Sequence, residues 1–363
     1  MLPPGRRAGP GVCQNFPAAA DQTASPVIMG SVMKEPLVIL GCTASGKSEL
    51  AEAVAAQWKD AAGRCASIMA VDAMQVYRGM DIGTAKPDAP TQRRFAHWMI
   101  DVADPWESFS AARFAAMAEP LIREHQQSGR PLILVAGTVL YLRAVLEGLF
   151  EGPAADPALR QELAQRAARQ GAASLHRELA DVDAVAAARI HPHDLRRIVR
   201  ALEVFHLTGE PISRLQTQWR AGRPRIACRM VGMRREKDDL NQRINRRVRM
   251  MIQTGLVEEV QRLAAGPRPL SMQAREGVGY KEILEYLEGR VTLEQAGEQI
   301  KIHTRHLAKL QRTWLRRFPQ VRWLNLAADQ AAGDLVGTVL EEIISQNPDD
   351  HRDRTAASRA AGP

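Results

Sequence analysis

The chain has 363 residues, of which 45% are hydrophobic and 25% charged, and its formal net charge is +8. This length allows one large domain or two medium ones with a packed core, and the composition is that of an ordinary globular protein. No stretch reaches the roughly 18 continuous apolar residues of a membrane span, so we expect no membrane partner. The four cysteines are scattered without a Cys-x-x-Cys pair, which argues against a zinc site and favours a cytoplasmic location.

The two ends of the chain differ in composition from the rest. Residues 1–34 are rich in Pro, Gly and Ala and lack the apolar centre of a signal peptide. Residues 346–363 are polar and Ala-rich. We predict that both segments are disordered, and the position of the true start codon stays open, since Met29 and Met33 stand just before the first predicted strand.

Apolar runs alternate with helical patterns between residues 35 and 150. The runs 35–41, 66–71 and 132–137 each end at a glycine or an aspartate, and helical spacing follows at 48–58 and 110–127. This alternation predicts an α/β fold with a parallel sheet. Because ligands of such sheets bind beyond the carboxyl ends of the strands, these ends are the candidate site.

The second half of the chain is mostly helical in pattern. Residues 151–222 contain no strand candidate and predict an all-helical insertion domain. Residues 223–345 are predicted to complete the core, with strands near 226–233 and 321–324 and C-terminal helices. Two of these helices are predicted to be long, over 238–265 and 275–317.

A phosphate-binding loop follows the first predicted strand. The motif G-x-x-x-x-G-K-[ST] is met at every fixed position by Gly41, Cys42, Thr43, Ala44, Ser45, Gly46, Lys47 and Ser48. Its glycines let backbone N–H groups face a phosphate, and the helix that follows adds positive potential. We predict that these residues bind a phosphate group, with Lys47 supplying a charge and the Ser48 hydroxyl holding Mg²⁺. On the loop alone, a kinase or an ATPase is the default expectation.

Basic residues cluster in the C-terminal half. Ten Arg or Lys residues lie between Arg223 and Arg249, and 301–317 carries six with no acidic residue. Such clustering indicates a polyanionic partner, although a solvated helix face explains charge alone equally well. The His191-Pro192-His193 segment lacks further ligands and is interpreted as a turn rather than a metal site.

Beyond the loop, the sequence resembles the bacterial tRNA dimethylallyltransferases, the IPP transferase family. The resemblance covers about Leu37 to Trp323 and includes the patterns F/Y-S-A-x-x-F and D-x-x-R-x-x-R-A-L-E. Its motifs follow in the family's order at 71–87, 97–101, 109–114, 136–141, 194–203, 279–282 and 304–309. It departs from the family's usual residues at Cys42, Ala73, Ala136 and Leu310, none of which removes a group that the mechanism needs.

The resemblance implies a P-loop NTPase-like core and transfer of a dimethylallyl group from dimethylallyl diphosphate to a tRNA. The acceptor is the exocyclic N6 amine of the adenosine on the 3′ side of the anticodon, and the expected cofactor is Mg²⁺. A monomer is the family expectation. The first alternative is a P-loop kinase of a nucleoside or small metabolite, and the second is a non-catalytic RNA-binding protein.

Roles for individual residues follow from the same resemblance. Asp72 is the expected general base, Lys47 and the loop would stabilise the leaving diphosphate, and Thr138 would place a hydroxyl at the reacting centre. The alternatives are a magnesium aspartate for Asp72, a turn cap for Thr138 and internal salt bridges for the arginines. The predicted tRNA-binding residues are Asp72, Ala73, Met74, Gln75, Thr138, Arg160, Arg196, Arg197, Arg200, Gly279, Tyr280 and Lys281.

Overall fold

A computed structural model describes residues 28–29, 35–149, 152–216, 225–328 and 330–345. The predicted tail 346–363 and all of the predicted extension 1–34 except 28–29 lie outside these residues. The chain forms two compact units, the first made of Met1–Leu142 with Ala227–Pro363 and the second of Arg143–Ile226.

Strands and helices alternate in the first part of the chain, and helices dominate after it. The strands are β1 (Ile28–Met29), β2 (Leu37–Leu40), β3 (Trp58–Lys59), β4 (Ser67–Val71), β5 (His97–Trp98), β6 (Leu132–Ala136), β7 (Arg229–Arg235) and β8 (Arg322–Leu326). The α-helices are α1 (Lys47–Gln57), α2 (Ala89–Arg94), α3 (Ala111–Ser128), α4 (Val139–Glu147), α5 (Pro157–Gln170), α6 (Ala172–Val182), α7 (Ala184–Ala187), α8 (Leu195–Thr208), α9 (Ile212–Leu215), α10 (Lys237–Gln253), α11 (Leu256–Ala264), α12 (Met272–Arg275), α13 (Tyr280–Leu287), α14 (Leu293–Leu315) and α15 (Val336–Ser345). A 3₁₀ turn over Ala332–Leu335 precedes α15.

Six strands form one parallel sheet in the order β5-β4-β6-β2-β7-β8. The central strands β2, β4 and β6 are buried along their whole length, because helices cover both faces of a parallel sheet. This burial is why they read as continuous apolar runs. The predicted α/β fold class is confirmed.

One face of the sheet packs on α1 and α15. Leu50 and Val54 of α1 lie in the same buried cluster as Ile39 and Ile133, and Val339 joins it from α15. This packing fixes the start of α1 directly beyond the end of β2, so the phosphate loop is held between two buried elements.

The register of the strands brings three chain segments to one edge of the sheet. Leu40 and Val71 both pair with Ala136, on opposite sides of β6. The residues that follow, Gly41, Asp72 and Gly137, therefore stand side by side at the carboxyl ends of neighbouring strands.

Two long helices predicted from the sequence are interrupted. The predicted helix 238–265 divides into α10 and α11 at Gly255, whose φ is 105°. The predicted helix 275–317 divides at Gly279 and Gly289, with φ of 98° and 74°. Glycine adopts these backbone angles without strain, so the helical path is interrupted at each position, with Gly255 and Gly279 preceding the first residues of α11 and α13. The edge strand β5 lies in the motif at 97–101 and was not predicted as a strand.

The second unit is entirely helical over its described residues. Its core contains Leu163 of α5, Leu175 and Leu179 of α6, and Ile198 and Leu202 of α8. The compact unit starts at Arg143 and ends at Ile226, whereas the insertion was predicted over 151–222. In the described part of the chain, no helix combines the length and the apolar character needed to cross a membrane.

Candidate functional site

The phosphate loop makes a tight turn that depends on its two fixed glycines. A Cβ on Gly41 would lie 2.3 Å from the Ser45 hydroxyl oxygen, and Gly46 has a φ of 97°. Ala44 also has a left-handed φ, of 62°. The loop therefore holds a conformation that few other sequences adopt, which is typical of a backbone shaped around an anion.

The amides at the helix end of the loop face the candidate ligand. Helix α1 starts at Lys47, and the first-turn N–H groups of any helix have no acceptor inside it. Earlier in the loop, the Ser45 N–H donates to the Cys42 carbonyl at 3.2 Å. The N–H groups of Lys47 and Ser48, in the first turn of α1, are therefore available to an anion.

Cys42 and Ser45 were predicted to bind phosphate, but both side chains are buried. Burial raises the pKa of the Cys42 thiol, with Lys47 acting in the opposite direction. The Cys42 carbonyl accepts from the Lys47 ammonium at 3.5 Å. The two side chains therefore shape the loop and orient Lys47, while phosphate binding through the backbone of these residues stays a prediction.

Lys47 reaches across Gly137 toward the end of β6. A Cβ on Gly137 would lie 3.3 Å from Lys47 Cε and 3.5 Å from Nζ. Burial lowers the pKa of Lys47 below its ordinary value, while the negative charge of Asp72 acts against this shift. Lys47 and Asp72 are therefore close enough for their charges to interact, as expected for residues beyond the carboxyl ends of strands in one parallel sheet.

The Asp72 carboxylate has one oxygen fixed by its own turn. Oδ1 accepts from the Met74 N–H at 2.8 Å and from the Gln75 N–H at 3.2 Å. In the part of the chain that the structure describes, Oδ2 has no hydrogen-bond partner. This geometry fixes the direction of the carboxylate and leaves one oxygen available to a ligand.

Thr138 connects the two strand ends. Its Oγ1 accepts from the Ala73 N–H at 3.0 Å, and its own N–H donates to the Val71 carbonyl at 3.2 Å. The hydroxyl therefore supports the turn after β4, as the turn-cap alternative proposed, and it still has its own proton to donate. The structure thus brings Lys47, Asp72 and Thr138 together.

Three arginines from the C-terminal half hold the middle of the phosphate loop. Arg247 Nη1 donates to Thr43 Oγ1 at 3.4 Å, Arg243 Nε to the Ala44 carbonyl at 3.0 Å, and Arg235 Nε to the Ser45 carbonyl at 3.0 Å. The sequence showed them only as part of a basic segment interpreted as RNA-binding.

These hydrogen bonds give the three arginines a role inside the protein, in holding the phosphate loop, that the sequence did not indicate. Burial, followed by the charge of Arg243, lowers the pKa of Arg247 below its ordinary value. The positive charge of Arg247 also lowers the pKa of Lys47. This charge lies next to the place where a phosphate group would bind.

The segment after Asp72 is a compact loop supported from beneath. Glu259, which is buried, accepts from the N–H groups of Asp81, Ile82 and Gly83 at 2.8–3.2 Å. Gln75 Nε2 donates to the Thr84 carbonyl at 3.1 Å. The loop that carries Asp72 and Gln75 is thus anchored to α11.

Two of the predicted tRNA-binding residues are interior. Tyr280 is buried and donates its hydroxyl proton to Glu259 at 2.7 Å, and the buried Gly279 N–H donates to Glu282 at 2.7 Å. Their prediction as RNA contacts is corrected, since both stabilise the support of the 81–83 loop. The neighbouring Lys281 lies at the surface and pairs with Glu276 at 2.9 Å.

In the second unit, Arg160 and Arg200 enclose one buried carboxylate. Arg160 contacts Glu203 at 2.7 Å and Arg200 contacts it at 2.6 Å, while the Asp156 N–H donates to it at 2.8 Å. Burial alone would raise the pKa of Glu203, but these hydrogen bonds lower it below its ordinary value. The salt-bridge alternative holds for both arginines.

Arg196 and Arg197 are exposed on the same helix, α8. Arg197 pairs with Asp194 at 3.1 Å, and both side chains of this pair are accessible to solvent. Of the other two arginines predicted to bind tRNA, Arg160 is also exposed although it pairs with Glu203, and Arg200 is half-buried.

The arrangement offers an anion cradle and an available carboxylate at adjoining strand ends. Such a site can bind a diphosphate and accept a proton beside it. Within the described residues, no group of three or more His, Cys, Asp or Glu side chains is placed to hold a metal ion. A Mg²⁺ ion here would depend on ligand phosphates together with the exposed Ser48, which is how this ion commonly binds in phosphate sites.

A family model described as IPP transferase matches residues 75–318. The tRNA dimethylallyltransferase of Geobacter sulfurreducens is 44% identical over 81% of this chain and 92% of its own length. The tRNA dimethylallyltransferase of Geobacillus kaustophilus is 43% identical over 80% of this chain and 90% of its own length.

Solved structures give the same result. The full-length tRNA isopentenylpyrophosphate transferase of Bacillus halodurans is 37% identical, with a TM-score of 0.61 over 86% of this chain and 96% of that one. A eukaryotic dimethylallyltransferase acting on tRNA is 22% identical, with a TM-score of 0.67 over 87% of this chain and 81% of that one, which is a likeness of fold.

Proposed function

Because this chain belongs to the IPP transferase family, we propose that it transfers a dimethylallyl group from dimethylallyl diphosphate to the N6 amine of the tRNA adenosine 3′ to the anticodon. The observation that carries this proposal is that Lys47, at the start of α1, and Asp72, directly after β4, lie at the same edge of the sheet, close enough for their charges to interact. One binds a leaving diphosphate and the other accepts a proton from a nucleophile. The kinase alternative is not favoured.

In the reaction, the N6 nitrogen attacks the allylic carbon of dimethylallyl diphosphate. A C–N bond forms, the C–O bond breaks, and the electron pair of that bond leaves with the diphosphate. The exocyclic amine is a poor nucleophile, because its lone pair is delocalised into the ring, so removal of its proton assists the step. Asp72 Oδ2 accepts that proton, while Oδ1 stays bonded to the Met74 and Gln75 amides.

The negative charge that develops on the diphosphate is stabilised by the loop. Lys47 and the first-turn amides of α1 are already oriented, so little reorganisation is needed as the charge grows. Ser48 would hold a Mg²⁺ ion together with the phosphate groups of the ligand, and this ion would supply further neutralising charge. Thr138 has a hydroxyl proton to donate at the reacting centre.

The adenine leaves its stack to reach the end of the sheet, as is common for base-modifying enzymes. Asp72, Ala73, Met74 and Gln75 line the turn that it approaches. Arg196 and Arg197, with Lys281 on the first unit, provide exposed positive charge for RNA phosphates. The proposed enzyme is a cytoplasmic monomer.

The test incubates purified protein with bulk tRNA, Mg²⁺ and labelled dimethylallyl diphosphate, and in parallel with ATP. We expect label to enter the tRNA and to be recovered as N6-(dimethylallyl)adenosine after digestion. Turnover of ATP without labelled tRNA would support the kinase alternative. Retention of RNA without any transfer would support the non-catalytic alternative.

A further inference from the structure

Gln311 of α14 connects the phosphate loop to the end of β6. Its Oε1 accepts from the Thr43 N–H at 2.8 Å, and its Nε2 donates to the Gly137 carbonyl at 2.9 Å. Both partners are backbone groups, and they belong to adjoining strand ends. One side-chain amide thus uses its acceptor and one of its donors inside the site.

The amide of Gln311 lies next to the charged end of Lys47. A Cβ built on Gly137 would be 3.4 Å from Gln311 Nε2 and 3.5 Å from Lys47 Nζ. The two nitrogen atoms therefore lie on the same side of Gly137. The ammonium also lies 3.5 Å from the Cys42 carbonyl, one residue before Thr43. Gln311 therefore lies at the Cys42–Thr43 end of the loop, away from the start of α1. The side chain of Lys47 extends toward the same end.

This position matters for how many phosphates the loop can hold. Loops with this motif use successive backbone amides for the inner phosphates and the lysine for the outer ones. Here the Thr43 N–H is bonded to Gln311, and the Thr43 hydroxyl accepts from Arg247 at 3.4 Å. Thr43 has no amide to offer, and the Gln311 side chain occupies the adjoining space.

We propose that Gln311 is a specificity-determining residue that limits the cradle to two phosphates and disfavours a third. The proposal rests on the proposed function, in which the donor is a prenyl diphosphate. In this proposal, the neutral side chain of Gln311 makes the site prefer a prenyl diphosphate to the triphosphates that loops of this motif commonly bind. A specificity element that acts by filling space and occupying a hydrogen-bonding group is a form of selection against the wrong ligand.

Calorimetric titration with inorganic diphosphate and inorganic tripolyphosphate, both with Mg²⁺, tests the proposal. We expect the wild-type protein to bind diphosphate about tenfold more tightly than tripolyphosphate, although the longer anion carries more charge. In Gln311→Ala this ratio should fall to about one or reverse, because the Thr43 amide and the adjoining space become available. Gln299→Ala is the matched control, since Gln299 is an exposed glutamine on the same helix, and it should keep the wild-type ratio.

Gln311→Glu tests whether occupying the space is enough for the preference, because glutamate has nearly the same size as glutamine. The carboxylate can still accept from the Thr43 N–H, so this variant should retain the preference for diphosphate while binding both anions more weakly. Equal loss of affinity for both anions in Gln311→Ala, or a wild-type protein that prefers tripolyphosphate, would overturn the proposal. The wild-type measurement decides this even if the alanine variant does not fold.

Failure of this inference is distinguishable from failure of the proposed function. The titrations use inorganic anions and require no prenyl transfer. Labelled tRNA with an unchanged ratio in Gln311→Ala would remove only the role of Gln311. A changed ratio in a protein that never labels tRNA would remove only the prenyl transfer.

Discussion

Asp72 uses its two carboxylate oxygens for different purposes, and this difference can be tested. Oδ1 caps the turn to Met74 and Gln75, whereas Oδ2 has no partner among the described residues. A carboxylate whose orientation is fixed by its own turn is directed at the ligand without help from a neighbouring side chain. Its removal as a base can therefore be separated from collapse of the turn.

We predict that Asp72→Asn loses about 10²- to 10⁴-fold in turnover. Its side-chain oxygen can still accept from the two amides, but its nitrogen is not a base. Affinity for tRNA and the thermal midpoint should stay at wild-type values. Asp88→Asn is the control, because Asp88 also caps a turn, accepting from the Thr91 N–H at 2.9 Å, and lies at the surface. A wild-type rate in Asp72→Asn would exclude Asp72 as the general base.

His125 makes the stability of the protein depend on pH. It is buried, its Nδ1 contacts the Leu121 carbonyl at 2.8 Å, and burial lowers its pKa. The unfolded chain therefore binds a proton near pH 6.5 that the folded state binds only at a lower pH, so stability falls as the pH drops below about 6.5.

In His125→Phe we expect about 1 kcal/mol less loss of unfolding free energy between pH 7.5 and 5.5 than in the wild type. Urea denaturation at the two pH values measures this difference. His193→Phe, at an exposed histidine, should behave as the wild type. Equal losses in all three proteins would show that His125 does not carry the acid sensitivity.

Which site residues could be predicted depended on where their partners lie in the sequence. Lys47, Asp72 and Thr138 lie in local motifs that follow predicted strands, so the rule that ligands bind at the carboxyl ends of parallel strands indicated their meeting, and the resemblance implied their roles. Gln311 and Arg243 act on backbone groups of the loop from more than half the chain away. Nearly every residue has a backbone carbonyl and amide, so the sequence does not show which of them a distant side chain contacts. These contacts were therefore not predictable.

At the scale of elements, α11 and α13 support the loop that follows Asp72. Glu259 accepts three backbone N–H groups of residues 81–83 and the Tyr280 hydroxyl proton. The Tyr280 ring also packs under Gly83, where a Cβ would lie 2.6 Å from it. The G-Y-K-E motif at 279–282 therefore supports the site from behind it.

Glu259→Ala should lower the free energy of unfolding by about 3 kcal/mol, because it leaves three part-buried N–H groups and the buried Tyr280 hydroxyl without an acceptor. Chemical denaturation measures this loss. Glu258→Ala, next to it and exposed, should change stability by less than about 0.5 kcal/mol. A small effect of both substitutions would mean that the 81–83 loop is held by other contacts.

Strands were predicted better than helix boundaries for a physical reason. The central strands are buried on both faces, so each is an unbroken apolar run with little ambiguity. The amphipathic pattern of 238–265 continues across Gly255, and periodicity alone does not show that the backbone leaves the helix there. The two-residue edge strand β5 is too short to show any period.

At the scale of the whole molecule, the net charge of +8 is divided among different roles. Part of it is used internally, by arginines on the phosphate loop and by the pair of arginines around Glu203. The remainder is accessible to a polyanion. Total charge therefore overestimates the number of RNA contacts.

We predict that Arg197→Ala weakens tRNA binding and reduces the slope of log affinity against log salt by about 1. Arg200→Ala should instead destabilise the protein by about 2 kcal/mol, since it removes one partner of the buried Glu203, and should leave the salt slope unchanged. Fluorescence anisotropy across a salt series, together with urea denaturation, distinguishes the two effects. A reduced salt slope in Arg200→Ala would show that Arg200 contacts RNA phosphates, contrary to this prediction.

The closing of the phosphate loop by α14 has a consequence for protein synthesis. The ribosome completes the entire loop motif long before it reaches β7, the neighbour of β2, and later still Gln311. A nascent chain therefore carries the recognisable motif without the groups that hold its middle. Any message with a premature stop codon ahead of Gln311 yields a truncated product whose phosphate motif is intact in sequence but unfinished in space.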